Sequence, residues 1–135
     1  MELDAARDFM REHHRGILAT TRKDGRPQMS AVSVGVDDQG RAVISTREDA
    51  YKTRHIRRDP RVSVCVMSED FWNWIQVDGM ATVVSLPEAM EPLVEYYRAV
   101  AGEHPDWDDY RRAMEEQRRV ILRIDIDRAG PDHRP

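Results

Sequence analysis

Cysteine is all but missing from this 135-residue chain, where Cys65 stands alone. One thiol closes no intrachain disulfide and builds no thiolate-based zinc site. Long hydrophobic runs are missing as well. The longest apolar stretch is the four-residue run Val64-Cys65-Val66-Met67, against the roughly 20 residues that a bilayer-spanning helix needs. Residues 1–15 are charged throughout and hold no apolar core of a secretory leader, so the expectation is a cytoplasmic protein with no membrane partner. Excess positive charge is missing too. With 21 basic and 25 acidic residues the net charge is −4, which argues against a general nucleic-acid binder. No Gly-x-Ser-x-Gly, phosphate-loop or Gly-x-Gly-x-x-Gly pattern occurs. The five histidines (His13, His14, His55, His104, His133) show no zincin spacing, so no metal site is expected. No residue set marks a catalytic acid, base or nucleophile.

The chain is 40% hydrophobic and 34% charged, the composition of a globular protein with a charged surface. Its length fits one domain spanning 1–135. Helical spacing is read over 2–14, strands over 17–21, 28–36, 41–46 and 61–67, and a long strand or strand pair over 72–86 with Gly79 as a bend. Helices are read over 49–59, from Pro87 to about Ala101, and from Trp107, capped by Asp106, to about Arg118. A last strand covers 120–126, and the polar tail 127–135 is expected to fray. Asp24-Gly25 and the Asp37-Asp38-Gln39-Gly40 stretch are turns of the kind that join antiparallel strands. Helices fall between groups of strands and do not alternate with each one. The expected fold is therefore mainly β, a small closed antiparallel barrel with helical additions.

The segment Ser45-Thr46-Arg47-Glu48-Asp49-Ala50-Tyr51-Lys52-Thr53-Arg54-His55 is the most informative. A strand ends in two hydroxyls and a helix begins with basic side chains on its first turns, an arrangement suited to anions. From Arg47 to Arg61 six basic residues stand against three acidic ones, on a chain that is acidic overall. Two readings are open: a phosphate clamp using Ser45, Thr46, Arg47 and Lys52, or a solvated helix face with ordinary ion pairs. Arg57, Arg58 and Arg61 suit the second. Phe71-Trp72-Asn73-Trp74 could stack on a ring or wall a pocket, or pack in the barrel or at an interface. Cys65 reads as a small apolar strand residue, and His104 as a structural residue of a turn.

The strand Gly16-Ile17-Leu18-Ala19-Thr20-Thr21, the turn Asp24-Gly25-Arg26-Pro27-Gln28, and the run Lys52-Thr53-Arg54-His55-Ile56-Arg57-Arg58-Asp59-Pro60-Arg61-Val62-Ser63-Val64 together resemble the pyridoxamine 5′-phosphate oxidase-like superfamily of split β-barrels. The stretch Tyr97–Arg111, centred on Gly102-Glu103-His104-Pro105-Asp106-Trp107, resembles the actinobacterial branch that uses the deazaflavin coenzyme F420. That resemblance implies an FMN-binding-type split barrel and a homodimer with cofactor sites at its interface. It also implies an oxidoreductase that passes hydride from reduced F420 to an electron-poor small molecule. The alternatives are an FMN-dependent oxidase-like enzyme or a non-catalytic carrier. Position by position, Lys52 matches the phosphate-binding lysine, Ser45 and Thr46 the strand-end hydroxyls, and Gln28 and Ser30 polar groups along the ring system. Ala50 replaces a frequent arginine, for which Arg47 or Arg54 is the candidate substitute, and His55 replaces a common asparagine. Trp74 is the pocket aromatic and Trp72 a packing residue.

Overall fold

The computed structural model describes residues 1–132. Helix α1 (Leu3–Glu12) precedes strands β1 (Arg15–Thr21), β2 (Pro27–Ser33), β3 (Gly35–Val36) and β4 (Ala42–Arg47). Helix α2 (Tyr51–Arg58) leads to β5 (Arg61–Met67) and β6 (Trp74–Val84), and helices α3 (Met90–Ala101) and α4 (Trp107–Glu116) precede β7 (Arg119–Gly130). The strands form one sheet in the order β2-β1-β5-β6-β7-β4-β3, with every pair antiparallel. The two edge strands, β2 and β3, are separated in the chain by Val34 alone. Laid flat, six inter-strand gaps would hold those edges about 29 Å apart, which one residue does not span. The sheet must curl until its edges meet, and the result is a split barrel.

Alternation fills the barrel. Leu18, Ile44, Val62, Val64, Val66, Ile75, Val77, Val120, Leu122 and Ile124 point inward and are buried, with Met10 and Ala6 of α1 and Ile56 of α2 plugging the open ends. The opposite side of β4 and β7 carries Val43 and Ile121 beneath Leu93 and Val94 of α3 and Tyr110 and Met114 of α4, a second core. The helix pair is held by rings: Tyr97, His104, Trp107 and Tyr110 have centroids 5.0–5.8 Å apart. The Tyr110 hydroxyl donates to the Leu93 carbonyl at 2.7 Å, and burial pushes it up to about 12. His104 is a turn residue as expected, its Nδ1 accepting the Asp106 N–H, while the Asp106 carboxylate caps α4 through the Asp109 N–H.

Three differences from the sequence reading have clear causes. The final strand does not end at 126: residues 127–130 continue β7, because Arg128, Ala129 and Gly130 pair with Asp78, Val77 and Gln76. Gly79 does not divide a strand pair, because β6 runs unbroken through it. It accommodates a register shift in the β6–β7 ladder, where a Cβ would stand 2.2 Å from the Asp125 carbonyl oxygen. Trp72 packs in neither core of this chain and lies 75% exposed in the β5–β6 loop beside Phe71. Residues 133–135, with His133, lie outside the described residues. No helix among the described residues is long and apolar enough to cross a membrane.

Candidate cofactor site

Strand alternation decides which polar groups can meet. On β4, Ser45 and Arg47 point to the outer side with Val43, whereas Thr46 points into the barrel and is 5% exposed. Antiparallel pairing sets Ser45 opposite Ile121 and Arg47 opposite Arg119. Two guanidinium-bearing residues thus face each other across a ladder, where like charges are unfavourable. Lys52, on the first turn of α2, adds a third cation. Burial and the nearby Arg119 push the Lys52 amine below its ordinary value, and burial and Arg47 do the same to Arg119. Among the described residues no carboxylate pairs with Arg47, Lys52 or Arg119. The adjacent Glu48 is committed elsewhere, to Arg57 at 2.6 Å and the Ser85 hydroxyl at 2.9 Å. Although burial alone would raise it, those two bonds hold the Glu48 carboxyl below the usual range.

The second cationic feature is an open cleft of about 670 Å³ between α2 and the β1–β2 hairpin. Helical spacing brings Tyr51, Arg54, His55 and Arg58 to one face of α2. They meet Arg22, Lys23, Asp24 and Gln28 across the cleft. Four permanent cations stand there against one carboxylate. The Tyr51 ring, 67% exposed, stacks on His55 with centroids 6.4 Å apart and carries the Arg54 guanidinium 5.8 Å from its centre. Burial, then Arg58 and Arg22, push His55 below its ordinary value. The Gln28 side-chain oxygen is buried with no hydrogen-bond partner among the described residues. A buried acceptor left unmade costs about 1–3 kcal/mol, so this oxygen fits a ligand that brings an N–H or O–H.

The structure therefore gathers Ser45, Arg47 and Lys52 at one corner and Gln28 and Arg54 at one cleft. Ser30, half-buried on β2, lies on the same side of the strand as Gln28. Thr46 is separated from both by the turn of its side chain into the barrel. Trp74 stands apart: it begins β6 beside Met67, at the other end of the barrel from Gln28, and lines a groove of about 310 Å³ with Gln76, Asp78 and Arg128. Cys65 is half-buried on the outer side of β5, and burial pushes its thiol up. Arg57 and Arg61 are neutralised by Glu48 and Asp59, as ordinary ion pairs. Arg58, assigned with them from sequence, instead borders the cleft while donating to the Thr21 carbonyl. Among the described residues no cluster of three His, Cys, Asp or Glu side chains could hold a metal ion.

Sequence reasoning missed Arg119 and the lining roles of Tyr51, His55 and Arg22. The α2 members carried a signal, the i, i+3, i+4, i+7 spacing of Tyr51, Arg54, His55 and Arg58. Arg119 carried none, because its neighbour Arg47 is fixed only by the β4–β7 register.

A family model described as pyridoxamine 5′-phosphate oxidase matches residues 3–130, nearly the whole chain. The chain belongs to the pyridoxamine 5′-phosphate oxidase family. Split barrels of this superfamily hold flavin-type or deazaflavin-type cofactors. Among solved structures, the chain is similar to the conserved hypothetical protein Rv2991 from Mycobacterium tuberculosis, at 28% identity and a TM-score of 0.77, over 96% of this chain and 82% of that one. It is similar in fold to an F420 reductase, at 20% identity and a TM-score of 0.71, over 91% and 94% of the two chains. A heme-binding protein from Mycobacterium smegmatis shares the fold at 21% identity and a TM-score of 0.68, over 94% of this chain and 52% of that chain.

Proposed function

We propose that this family member is a coenzyme F420-dependent oxidoreductase that transfers hydride from the reduced deazaflavin to an electron-poor unsaturated small molecule. The single observation that carries the reading is the pairing of uncompensated cations with an orphaned acceptor. Arg47 and Lys52 have no carboxylate partner, and the nearby cleft holds the buried, unpartnered Gln28 oxygen beside the exposed Tyr51 ring. Such a donor set fits a planar ring system with a polar edge and a phosphate-bearing tail. Lys52, Arg47 and Ser45 would hold the phosphate, Gln28 and Ser30 the ring edge, and Arg54 the anionic tail. Support from outside the chain is the shared fold of an F420 reductase.

The cofactor, when bound, supplies the hydride. The chain's own residues bind and orient, and they exclude water from one face of the ring. No side chain in the cleft is poised as a strong acid, so solvent serves as the proton source. Trp74 is too far along the barrel to serve the cleft of its own chain. It reaches such a site only if a second copy packs against the first, so the reading includes a homodimer in a cytoplasmic protein, with the partner's Trp74 walling the acceptor pocket. Exposed Phe71, Trp72, Met29 and Met80 would be covered in that assembly.

The test is a fluorescence-quenching titration with F420 and FMN side by side, followed by oxidation of reduced F420 with enones, quinones and tetrapyrroles. Tight F420 binding with turnover of one acceptor class is the expected result. Preference for FMN would move the protein to the FMN-dependent reading. Tight F420 binding without turnover of any acceptor would make it a carrier.

A further inference from the structure

We propose that Arg119, the first residue of the last strand, is a third arm of the anion site, and that Arg47, Lys52 and Arg119 together take a phosphate group. The inference deepens the reading above, since it assigns a new residue to the phosphate end of the same site.

Three observations carry it. The first is position. Arg119 stands directly opposite Arg47 on the outer side of the β4–β7 ladder, and Ser45 is two residues from Arg47 on that same side. The second is the state of the side chain. Arg119 is half-buried, and among the described residues its side chain has one hydrogen-bond partner, the neutral Gln117 side-chain oxygen at 2.8 Å. A half-buried guanidinium facing another across a ladder, with no carboxylate, weakens the fold. Such a pair is understandable where an anion arrives between the cations. The third is how firmly the corner is built. Arg118 adopts φ 52°, a left-handed conformation uncommon for a side-chain-bearing residue. Its carbonyl accepts the Glu48 N–H at 2.8 Å. That bond ties the entry of β7 to the exit of β4, so Arg119 has little freedom to swing away from Arg47. At the same exit the Thr53 hydroxyl donates to the Arg47 carbonyl at 2.7 Å, which fixes the first turn of α2 and with it Lys52. The burial that depresses Lys52 and Arg119 is what an inserted phosphate would offset, because an anion between them stabilises the charged forms both already hold.

Phosphate is favoured over a carboxylate because cations converge from three elements, and a tetrahedral phosphate offers more oxygens and more charge to share among them than a carboxylate does. The corner adjoins the Arg22, Arg54 and Arg58 cleft but shares no residue with it, since the cleft draws its cations from the β1–β2 hairpin and from the Tyr51, Arg54, His55 and Arg58 face of α2.

The test uses thermal unfolding of the full chain with inorganic phosphate as the probe, at constant ionic strength set with sodium chloride. Phosphate should raise the Tm of the natural sequence. Arg119→Gln should lose most of that rise, Arg119→Lys should recover part of it, and the exposed control Arg112→Gln should keep it. Ligand-free Arg119→Gln should unfold at the same temperature as the natural sequence or higher, because a repulsion has been removed. In parallel, Arg119→Gln should weaken F420 or FMN binding by about ten- to a hundredfold. An undiminished phosphate effect in Arg119→Gln, or a ligand-free Tm well below that of the natural sequence, overturns the proposal. If the natural sequence binds neither F420 nor FMN, yet the phosphate effect still depends on Arg119, the corner stands and the deazaflavin reading falls. If F420 binds both forms equally, that reading stands and Arg119 is only a surface cation.

Discussion

Thr20 Oγ1 and His55 Nδ1 lie 2.9 Å apart, a hydrogen bond that ties the barrel to the helix lining the cationic cleft. Thr20 is 2% exposed and pairs across β1–β2 with Gln28, so one short chain of contacts runs from α2 to the orphaned glutamine. Burial, then Arg58 and Arg22, favour the neutral imidazole. An unfolded histidine titrates near pH ~6.5. Below that value the unfolded chain binds a proton that the folded chain resists, so stability falls as pH falls. Denaturation midpoints measured from pH 7.5 to 5 should drop, and His55→Asn should flatten that slope. Equal slopes in both forms would mean that other groups govern the acid limb. A bound anion should also shift the His55 titration upward, visible by NMR as cofactor or phosphate is added.

Lys52 has no hydrogen-bond or ion-pair partner among the described residues, so its contribution to the fold is small. Lys52→Ala should leave the fold and oligomeric state unchanged and weaken cofactor binding by about ten- to a hundredfold, the loss expected for one charge-assisted contact of about 1.5–3 kcal/mol. Unchanged affinity in a titration would reduce Lys52 to a solvated side chain.

For Gln28 the proposed cofactor contact and the stability of the ligand-free fold pull in opposite directions. Its buried oxygen has no partner, which costs the ligand-free protein about 1–3 kcal/mol. Gln28→Leu, of similar size, should raise the ligand-free Tm and lower cofactor affinity. A fall in both would show that the oxygen already serves the fold.

Much of this was legible in the sequence, and the reasons are local. Alternation of Val62, Val64 and Val66 against Arg61, Ser63 and Cys65 reveals β5, and Pro60 marks its start. Asp106 announces the cap of α4 because a short acceptor before a helix has one obvious use. The basic spacing on α2 belongs to one element and needs no tertiary information. What was not legible depends on pairing register. Arg119 gained its meaning only from facing Arg47, Thr46 lost contact with the clamp because one residue of alternation turns a side chain to the other side, and residues 127–130 became strand because β6 is long enough to pair with them. Trp72 looked apolar enough to be packed, and only the loop geometry leaves it exposed.

Gly79 should be the least tolerant glycine in the barrel. A Cβ there would meet the Asp125 carbonyl oxygen at 2.2 Å and the Ile124 side chain at 3.0 Å, and the first of these is backbone held in the β6–β7 ladder. Gly79→Ala should force the register shift apart and destabilise by about 1–3 kcal/mol, the range for overpacking, read as a lower urea midpoint. Gly25→Ala makes a useful contrast. Its positive φ of 85° imposes a conformational cost, but nothing lies within 4 Å, so a smaller loss of about 1 kcal/mol is expected.

The role proposed for Trp74 lies with the acceptor and not with the cofactor's anchor. It is half-buried at the start of β6, opposite Met67, and far along the barrel from both Gln28 and the Arg47–Lys52 corner. If it walls the site of a second copy, removing it leaves every phosphate contact intact and takes away a large flat surface against which an acceptor stacks. Trp74→Ala should therefore shift kcat/KM among enones, quinones and tetrapyrroles by tenfold or more while changing F420 affinity less than threefold. Because the effect acts across an interface, mixing Trp74→Ala subunits with Lys52→Ala subunits should yield heterodimers holding one intact site and one doubly damaged site. At low F420 concentration such mixtures would regain the acceptor preference of the natural sequence, which neither homodimer shows there. Absence of that complementation, with heterodimers demonstrated by mass, would place Trp74 in its own chain's groove beside Gln76 and Arg128 and remove it from the acceptor pocket.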